Sequence, residues 1–392
     1  MKKHLITILI IITISVWNIS ITAYEVGGVD IHGFISQGFV SSNAYNYLTH
    51  NSKDGSFGYN EMGINFSKQL NNKLRIGMQL FSRDLGDVSN NKILLDWAFA
   101  DYRFHDWFGV RVGKMKLPLG LYNETRDMDM LRTCIVLPQG SYMDLTRDTL
   151  IATNGAGIYG HRELGDSGSI DYQLLVGVLP TDIDNGMGKS FNSHMASSGG
   201  VINKDFNSDT TYTGALWWEP PLEGFKLGYS FIHAPSEFPI VFSGTVETTV
   251  QVTTLRQIFS AELTWSNLVL RTEYMERKAE SSVFGISTSS TTQSYYFLVS
   301  YAFNDLFTLG AYYSELYPDK DDKDGNNQTS NHMAWEKDFA LTLRFNINEY
   351  WIFKLEGHLV DGTANVLWID NSNINYSESK FSYGVAKMTF SF

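Results

Sequence analysis

Leu74, Ile76, Met78 and Leu80 alternate residue by residue with Arg75, Gly77, Gln79 and Phe81. The same period of two recurs where Phe339, Leu341, Leu343, Phe345 and Ile347 alternate with Asp338, Ala340, Thr342, Arg344 and Asn346. It recurs again at Trp351, Phe353, Leu355 and Leu359 against Lys354, Glu356 and His358. Side chains of a strand point to opposite faces in turn, so each segment is a strand with one apolar and one wet face. Two architectures satisfy that pattern. A soluble sandwich puts the apolar face inside, and a closed membrane barrel turns it outward to lipid. Alternation alone does not choose between them.

The connections do choose. Strands are expected at 28–40, 57–69, 73–83, 93–104, 107–117, 153–162, 170–179, 209–218, 225–233, 254–265, 268–278, 291–303, 306–316, 335–347, 350–361 and 379–392, about 16 in all. Asn71-Asn72, His105-Asp106, Gly165 to Ser167, Pro220 to Gly224, Ser266-Asn267, Asn304-Asp305 and Asn348-Glu349 are short connections. Between them fall long ones, at 41–56, 84–92, 118–152, 180–208, 234–253, 279–290, 317–334 and 362–378. Long and short alternate without a break, so every long loop lies at one end of the sheet. A sandwich has no reason for that asymmetry. An outer-membrane barrel, with short periplasmic turns and long outer loops, requires it. The fold expected is therefore all-β: a closed antiparallel transmembrane β-barrel.

The ends of the chain point the same way. Lys2 and Lys3 precede an uncharged, mostly apolar run from Leu5 to Trp17, and a short stretch Ser20 to Ala23 leads to the polar Tyr24-Glu25. That is the three-part form of an export signal, with cleavage expected after Ala23. Residues 24–392 are then a single barrel domain, since no Pro-rich or Ser-rich linker divides them. No later segment is long and apolar enough to cross as a helix. The chain ends Met388-Thr389-Phe390-Ser391-Phe392, which resembles the C-terminal signature of bacterial outer-membrane barrels. That resemblance implies a partner, the barrel-insertion machinery, which reads Phe392. Outer-membrane lipid and lipopolysaccharide are the other partners expected. The net charge of −12 argues against nucleic acid. With Cys134 as the only cysteine a disulfide framework is excluded, and the thiol is either reactive or an incidental small hydrophobe.

Asp96 to Phe104, reading Asp-Trp-Ala-Phe-Ala-Asp-Tyr-Arg-Phe, is followed by Val110 to Gly120, reading Val-Arg-Val-Gly-Lys-Met-Lys-Leu-Pro-Leu-Gly. This hairpin resembles that of the phosphate-selective-porin-like superfamily of Gram-negative outer-membrane porins. There an acidic and aromatic strand precedes one reading Arg-x-Gly-basic-x-x-x-Pro. The resemblance implies a water-filled channel for passive diffusion of small hydrophilic solutes or ions, with no enzymatic activity and no cofactor. It also implies a homotrimer and a third loop folded into the lumen. Segment 118–152 is the longest connection, and it carries Leu131, Ile135, Val136, Leu137, Tyr142 and Leu145, which a freely solvated loop would not need. Phosphate selectivity is not carried over, because no comparable run of Arg and Lys is present.

The candidate pore residues follow from this frame. The loop carries Glu124, Asp127, Asp129, Asp144 and Asp148, together with Arg126, Arg132 and Arg147. Alternation turns Arg75, Arg83, Arg111, Arg271 and Arg344 inward on the wall, with Glu61, Glu273 and Glu356. Loop acids facing wall arginines would set up a transverse field that selects solutes. Alternatively the same charges pair and simply pin the loop. Lys114 and Lys116 fall outward by alternation, unless a bulge near Gly113 shifts the face or they snorkel at the rim. The family pattern favours a lumenal place for both, near the loop.

Other motifs are set aside. Gly155 to Gly160 matches a dinucleotide fingerprint but is followed by β alternation rather than a helix. Asp319 to Gly325 lacks the spacing of a calcium loop. His32, His233 and His358 have no zinc-ligand spacing. Trp217, Trp218, Tyr295 and Tyr296 are either an aromatic path for sugars or interfacial girdle. Two rival functions are a barrel enzyme of phospholipase or protease type, which needs a Ser-His or Asp-His constellation on neighbouring strands, and a structural barrel with a blocked lumen.

Overall fold

Asparagine makes several of the short turns. The Asn71 side-chain oxygen accepts from the backbone N–H of Lys73 and Leu74, both at 3.0 Å. Asn304 does the same for Leu306 and Phe307, and Asn348 for Tyr350 and Trp351. Each is an Asx turn that reverses the chain without an inserted loop.

In the computed structural model, residues 24–196, 199–202, 206–242, 244, 246–371 and 377–392 are described; the expected export signal 1–23 lies outside them. The turns join sixteen long strands: β1 Val29–Ser42, β2 Ser56–Gln69, β3 Leu74–Asp84, β4 Leu94–His105, β5 Phe108–Lys116, β6 Ala152–Glu163, β7 Ser169–Val178, β8 Thr211–Glu219, β9 Phe225–Phe242, β10 Val246–Trp265, β11 Leu268–Val283, β12 Ile286–Ala302, β13 Phe307–Tyr317, β14 Glu336–Asn346, β15 Trp351–Gly362 and β16 Lys380–Ser391. Each pairs antiparallel with its sequence neighbours. The sheet closes where β16 pairs with β1, Met388 opposite Gln37. Phe392 finishes the seam by exchanging backbone hydrogen bonds with Gly33, each 3.0 Å. The expected closed barrel is thus observed, with short accessory strands Tyr24–Val26, Gly200–Ile202 and Asn207–Ser208 added.

Which face is wet decides between sandwich and barrel. On β15, Lys354 is 0% exposed and Leu359 is 65% exposed. Arg83, Arg147 and Lys387 are equally enclosed, whereas Ile76, Val112, Phe259, Phe297, Phe339 and Leu341 face out. In water that inversion would be unstable; in lipid it is the required arrangement. At the short-turn end an aromatic belt runs across neighbouring strands. Phe307 lies 5.5 Å from Phe303 and 5.3 Å from Phe345, and Trp351 lies 5.3 Å from Phe390. Tyr and Trp in such a belt sit at the membrane–water interface. Trp218 and Tyr295 also face outward, while Tyr296 is buried inside.

Two expected outer loops are not loops. Strands β9 and β10 run on to Phe242 and from Val246, paired throughout, so 234–253 is mostly hairpin. Strands β11 and β12 likewise extend to Val283 and from Ile286 across 279–290. Pro235 and Pro239, which have no backbone N–H to donate to a ladder, both lie within β9. The upper part of this hairpin is held by packing. Ile202, Phe206, Phe238, Ile240 and Val250 form a cluster against Ile183 and against Met187, Phe191 and Met195 of helix Gly186–Ala196. Buried aromatic and aliphatic area there outweighs weak strand propensity.

Candidate functional site

The longest connection leaves β5 at Leu117, passes through the barrel interior and returns to β6. Its neck is tied by Asn123, whose side-chain amide donates to the carbonyls of Leu117 (2.9 Å) and Leu150 (3.0 Å). Gly120 sits at φ +61°, and a Cβ there would strike Tyr142 Oη and Glu273, so the first turn requires glycine. Beyond that turn the segment is held by bonds within itself, such as Arg126 to the Tyr142 carbonyl and Gln139 to Asp144, and by a set of anchors on the wall.

Glu273 of β11 is one anchor. It accepts from the Leu121 backbone N–H (2.7 Å), Tyr142 Oη (2.5 Å), Ser260 Oγ (2.6 Å) and Tyr296 Oη (2.9 Å). Glu356 of β15 is a second, and its two oxygens take the backbone N–H groups of Ile135 and Val136, both at 2.7 Å. These bonds use both carboxylate oxygens, so Glu356 orients the loop backbone as well as holding it. On the apolar side Tyr122, Cys134, Leu137 and Tyr142 pack with Tyr296, Leu298, Tyr312 and Ala340 of the wall. Cys134 is buried in that cluster, which keeps its thiol away from solvent.

Asp129 gathers three cations. Lys354 Nζ lies 3.0 Å from its carboxylate and also donates to the carbonyls of Asp129 and Arg132, each at 2.8 Å. Lys387, directly opposite Lys354 in the ladder, lies 3.6 Å from the Asp129 carboxylate and pairs with Glu61 at 2.5 Å. Arg132 lies 3.5 Å from Asp129 and 3.9 Å from Glu61. Arg344 donates to the carbonyls of Arg132 (2.9 Å) and Met130 (2.8 Å). Two lysines opposite each other with an arginine beside them repel, and Asp129 and Glu61 cancel that repulsion.

The returning half is held by a second network. Arg147 makes a bidentate pair with Asp96 of β4 (2.8 and 3.0 Å), and its guanidinium lies 3.8 Å over the Phe81 ring. Arg83 pairs with Asp144 (3.4 Å) and Asp148 (3.2 Å), and Arg126 with Asp144 (3.1 Å). Lys116 pairs with Asp127 (2.6 Å) and donates to the Glu124 carbonyl (2.7 Å), while Gln79 also bonds Asp127. Glu124 accepts from Gln173 of β7 at 3.4 Å. Burial alone would push the Asp144 and Asp148 carboxyls up. Arg126, Arg83 and Arg132 around the first, and Arg83 and Arg147 around the second, more than offset this and hold both below the ordinary carboxylate range.

These contacts reach strands on every side of the barrel: Gly120 to Ser230 of β9, Ser141 to Arg256 of β10 and Ser294 of β12, and Asp129 to Thr389 of β16. The segment is therefore a diaphragm across the lumen rather than a flap along one wall. Of the residues singled out from sequence, Arg83, Lys116, Glu124, Arg126, Asp127, Asp129, Arg132, Asp144, Arg147, Asp148 and Arg344 come together in it. Arg271 touches its edge, 3.2 Å from Tyr122 Oη, and pairs with Glu262. Lys116, the last residue of β5, reaches the loop at Asp127, while the ladder runs unbroken through Gly113 despite its positive φ. Lys114 instead donates to the Leu95 carbonyl, 2.6 Å away, outside this network.

Arg75 and Arg111 stand elsewhere. Below the diaphragm, toward the short turns, a cavity of about 540 Å³ is lined by Lys73, Arg75, Arg103, Arg111, Asp101 and Tyr159. Arg111 pairs with Asp101 at 2.9 Å. Arg75 and Arg103 are exposed within it. Sequence reasoning passed over Asp96, Lys354 and Lys387, although alternation placed Lys354 on the wet face. It also passed over Arg256 and Arg277.

No protein-family profile matches this sequence, and no curated protein is similar to it in sequence. Solved structures are similar in shape. OmpT, an outer membrane protein of Vibrio cholerae, is 12% identical over 93% of this chain and 97% of its own, with a TM-score of 0.56. The anion-selective porin from Comamonas acidovorans is 12% identical over 93% and 99%, TM-score 0.53. OmpF of Salmonella typhi, in complex with daunomycin, is 14% identical over 93% and 97%, TM-score 0.56. Identity this low speaks for the fold alone. A closed sixteen-strand barrel with an apolar outer belt is an outer-membrane architecture, and the fold and that belt together place the chain in the outer membrane.

Proposed function

We propose that this chain is an outer-membrane porin, a passive channel for small hydrophilic solutes or ions whose constriction is segment 118–152. The observation that carries the reading is the open, charged lumen below the diaphragm, where Arg75 and Arg103 face open space instead of a packed core. A barrel built only as scaffold has no need of solvated inward cations. The paired charges of the diaphragm set the width of the opening, and the unpaired ones in the vestibule set the field that solutes meet. Transport needs no cofactor. An export signal at 1–23, a homotrimer, contact with lipopolysaccharide and recognition of Phe392 by the insertion machinery belong to the same proposal. Kinship with the phosphate-selective-porin-like superfamily rests on the β4–β5 hairpin.

One observation favours a second reading. The diaphragm is tied to strands all around the barrel, as a blocked structural barrel would require. The enzyme alternative has less support. The Asp338–His358 pair (2.9 Å) lies on neighbouring strands, but His358 is buried, stacked on Tyr383 at 4.0 Å and held between Asp338 and Glu356. Single-channel recording of refolded protein under a salt gradient separates these readings. Stepwise conductance is expected of the porin, and a silent bilayer with folded protein would leave the blocked barrel or the enzyme.

A further inference from the structure

Among the described residues, the cations of the diaphragm are matched by carboxylates or loop carbonyls. Two inward arginines just above it meet no carboxylate. Arg256 of β10 and Arg277 of β11 are directly opposite each other in the ladder. Arg256 donates to the Ser141 carbonyl of the loop, and its Nε is buried with no partner. Arg277 donates only to Thr292 Oγ1, at 2.9 Å. No carboxylate of the described residues forms an ion pair with either. Like charges facing across a strand pair destabilise the sheet, and a guanidinium offers five donors. Two guanidiniums therefore present many unused donors in one place.

Both line the same cavity, of about 200 Å³, on the outer side of the diaphragm. The rest of its lining is largely apolar, Met143 and Leu150 from the loop and Met275, Leu316 and Pro318 from the barrel, with Thr146, Thr292 and Asn365 as the polar members. A small inorganic anion would satisfy the guanidiniums and leave that wall unused. A neutral apolar solute would leave the guanidiniums unpaired. We infer that the Arg256–Arg277 cavity is a binding site for a small amphiphilic monocarboxylate, its carboxylate between the two guanidiniums and its short aromatic or aliphatic body against Met143, Met275 and Leu316. Planar carboxylates match the fork of arginine donors, and pockets that fix a ligand combine an apolar wall with few directed polar groups.

The site stands whether or not the barrel conducts, because binding from the outer face needs no open path through the diaphragm. The test is calorimetric titration of the refolded full chain at neutral pH and low salt with benzoate, benzyl alcohol and inorganic phosphate. Benzoate is expected to give a saturable isotherm, with benzyl alcohol weaker by about tenfold or more because it loses the charge-assisted contact, and phosphate weaker by about tenfold or more because it leaves the apolar wall unused. Arg277→Gln, which removes no contact to the loop, should weaken benzoate by a similar factor, and Arg277→Lys should restore part of it. Heat-modified mobility on gels checks that each variant is folded, and a benzoate-induced rise in the thermal midpoint should appear in the wild type and vanish in R277Q. No saturable isotherm, an unchanged one in folded R277Q, or equal binding of benzyl alcohol or phosphate would overturn the inference. A silent bilayer alongside a saturable benzoate isotherm would sink the porin reading and leave this one standing.

Discussion

The lumen has two halves that use the same residues for opposite ends. In the diaphragm, Arg83, Arg126, Arg132 and Arg147 are enclosed and each meets a carboxylate within 3.5 Å. In the vestibule toward the short turns, Arg75 and Arg103 are exposed and form no ion pair among the described residues. An enclosed arginine is a structural clamp, because its charge is tolerated only while its partner is present. A solvated one carries a field outward, at little cost to stability. Residue type and inward direction therefore do not tell a pin from a selector; the partner does.

The largest break in this comparison is expected at Asp129. Asp129→Ala leaves Lys354, Lys387 and Arg132 crowded with Glu61 as their only carboxylate, and should cost about 3–5 kcal/mol, read as a fall in the denaturant midpoint. Glu356→Gln comes next. It keeps the shape but leaves the Ile135 and Val136 N–H groups competing for one acceptor, at about 1–3 kcal/mol by the same assay. A smaller effect should follow acidification. Asp144 and Asp148 are held low in the folded state, so they contribute stability at neutral pH and lose it as pH falls through those depressed values. The thermal midpoint should start to drop below about pH 4, where the unfolded-state carboxylates protonate. The smallest effect on stability belongs to the vestibule. Arg75→Ser with Arg103→Ser should stay within about 0.5 kcal/mol of the wild type. In the same double variant the reversal potential should move toward cation preference. A vestibule variant that unfolds, or an Asp129 variant that does not notice, would erase the distinction between the halves.

Much of the architecture was legible because a closed barrel repeats one rule. Strand β4 was expected at 93–104 and lies at Leu94–His105, since alternation and an adjoining turn both mark it. The upper hairpin of β9 and β10 was not, because Pro235 and Pro239 weaken local propensity while the packing of Phe206 on Phe238 (4.8 Å) is invisible to a local pattern. The candidate site divides along the same line. Period two correctly turned Arg83, Arg344, Glu273 and Glu356 inward. It turned Lys116 outward, whereas at the last residue of β5 its ammonium bonds Asp127 and the Glu124 carbonyl of the loop. It had no means of pairing Asp129 with Lys354, since that contact spans the barrel and leaves no trace in spacing. Of the two alternatives left open for the loop acids, field or clamp, the ion pairs of Asp127, Asp129, Asp144 and Asp148 have the geometry of the clamp.

Paired single-channel recordings of the wild type and Asp129→Ala, both refolded and inserted under one salt gradient, test the central claim most directly. A diaphragm held by buried charge pairs across a water-filled lumen predicts small conductance steps in the wild type and larger ones once Asp129 is removed. Equal steps in the two proteins, or silence in both with the barrel shown to be folded, would contradict it.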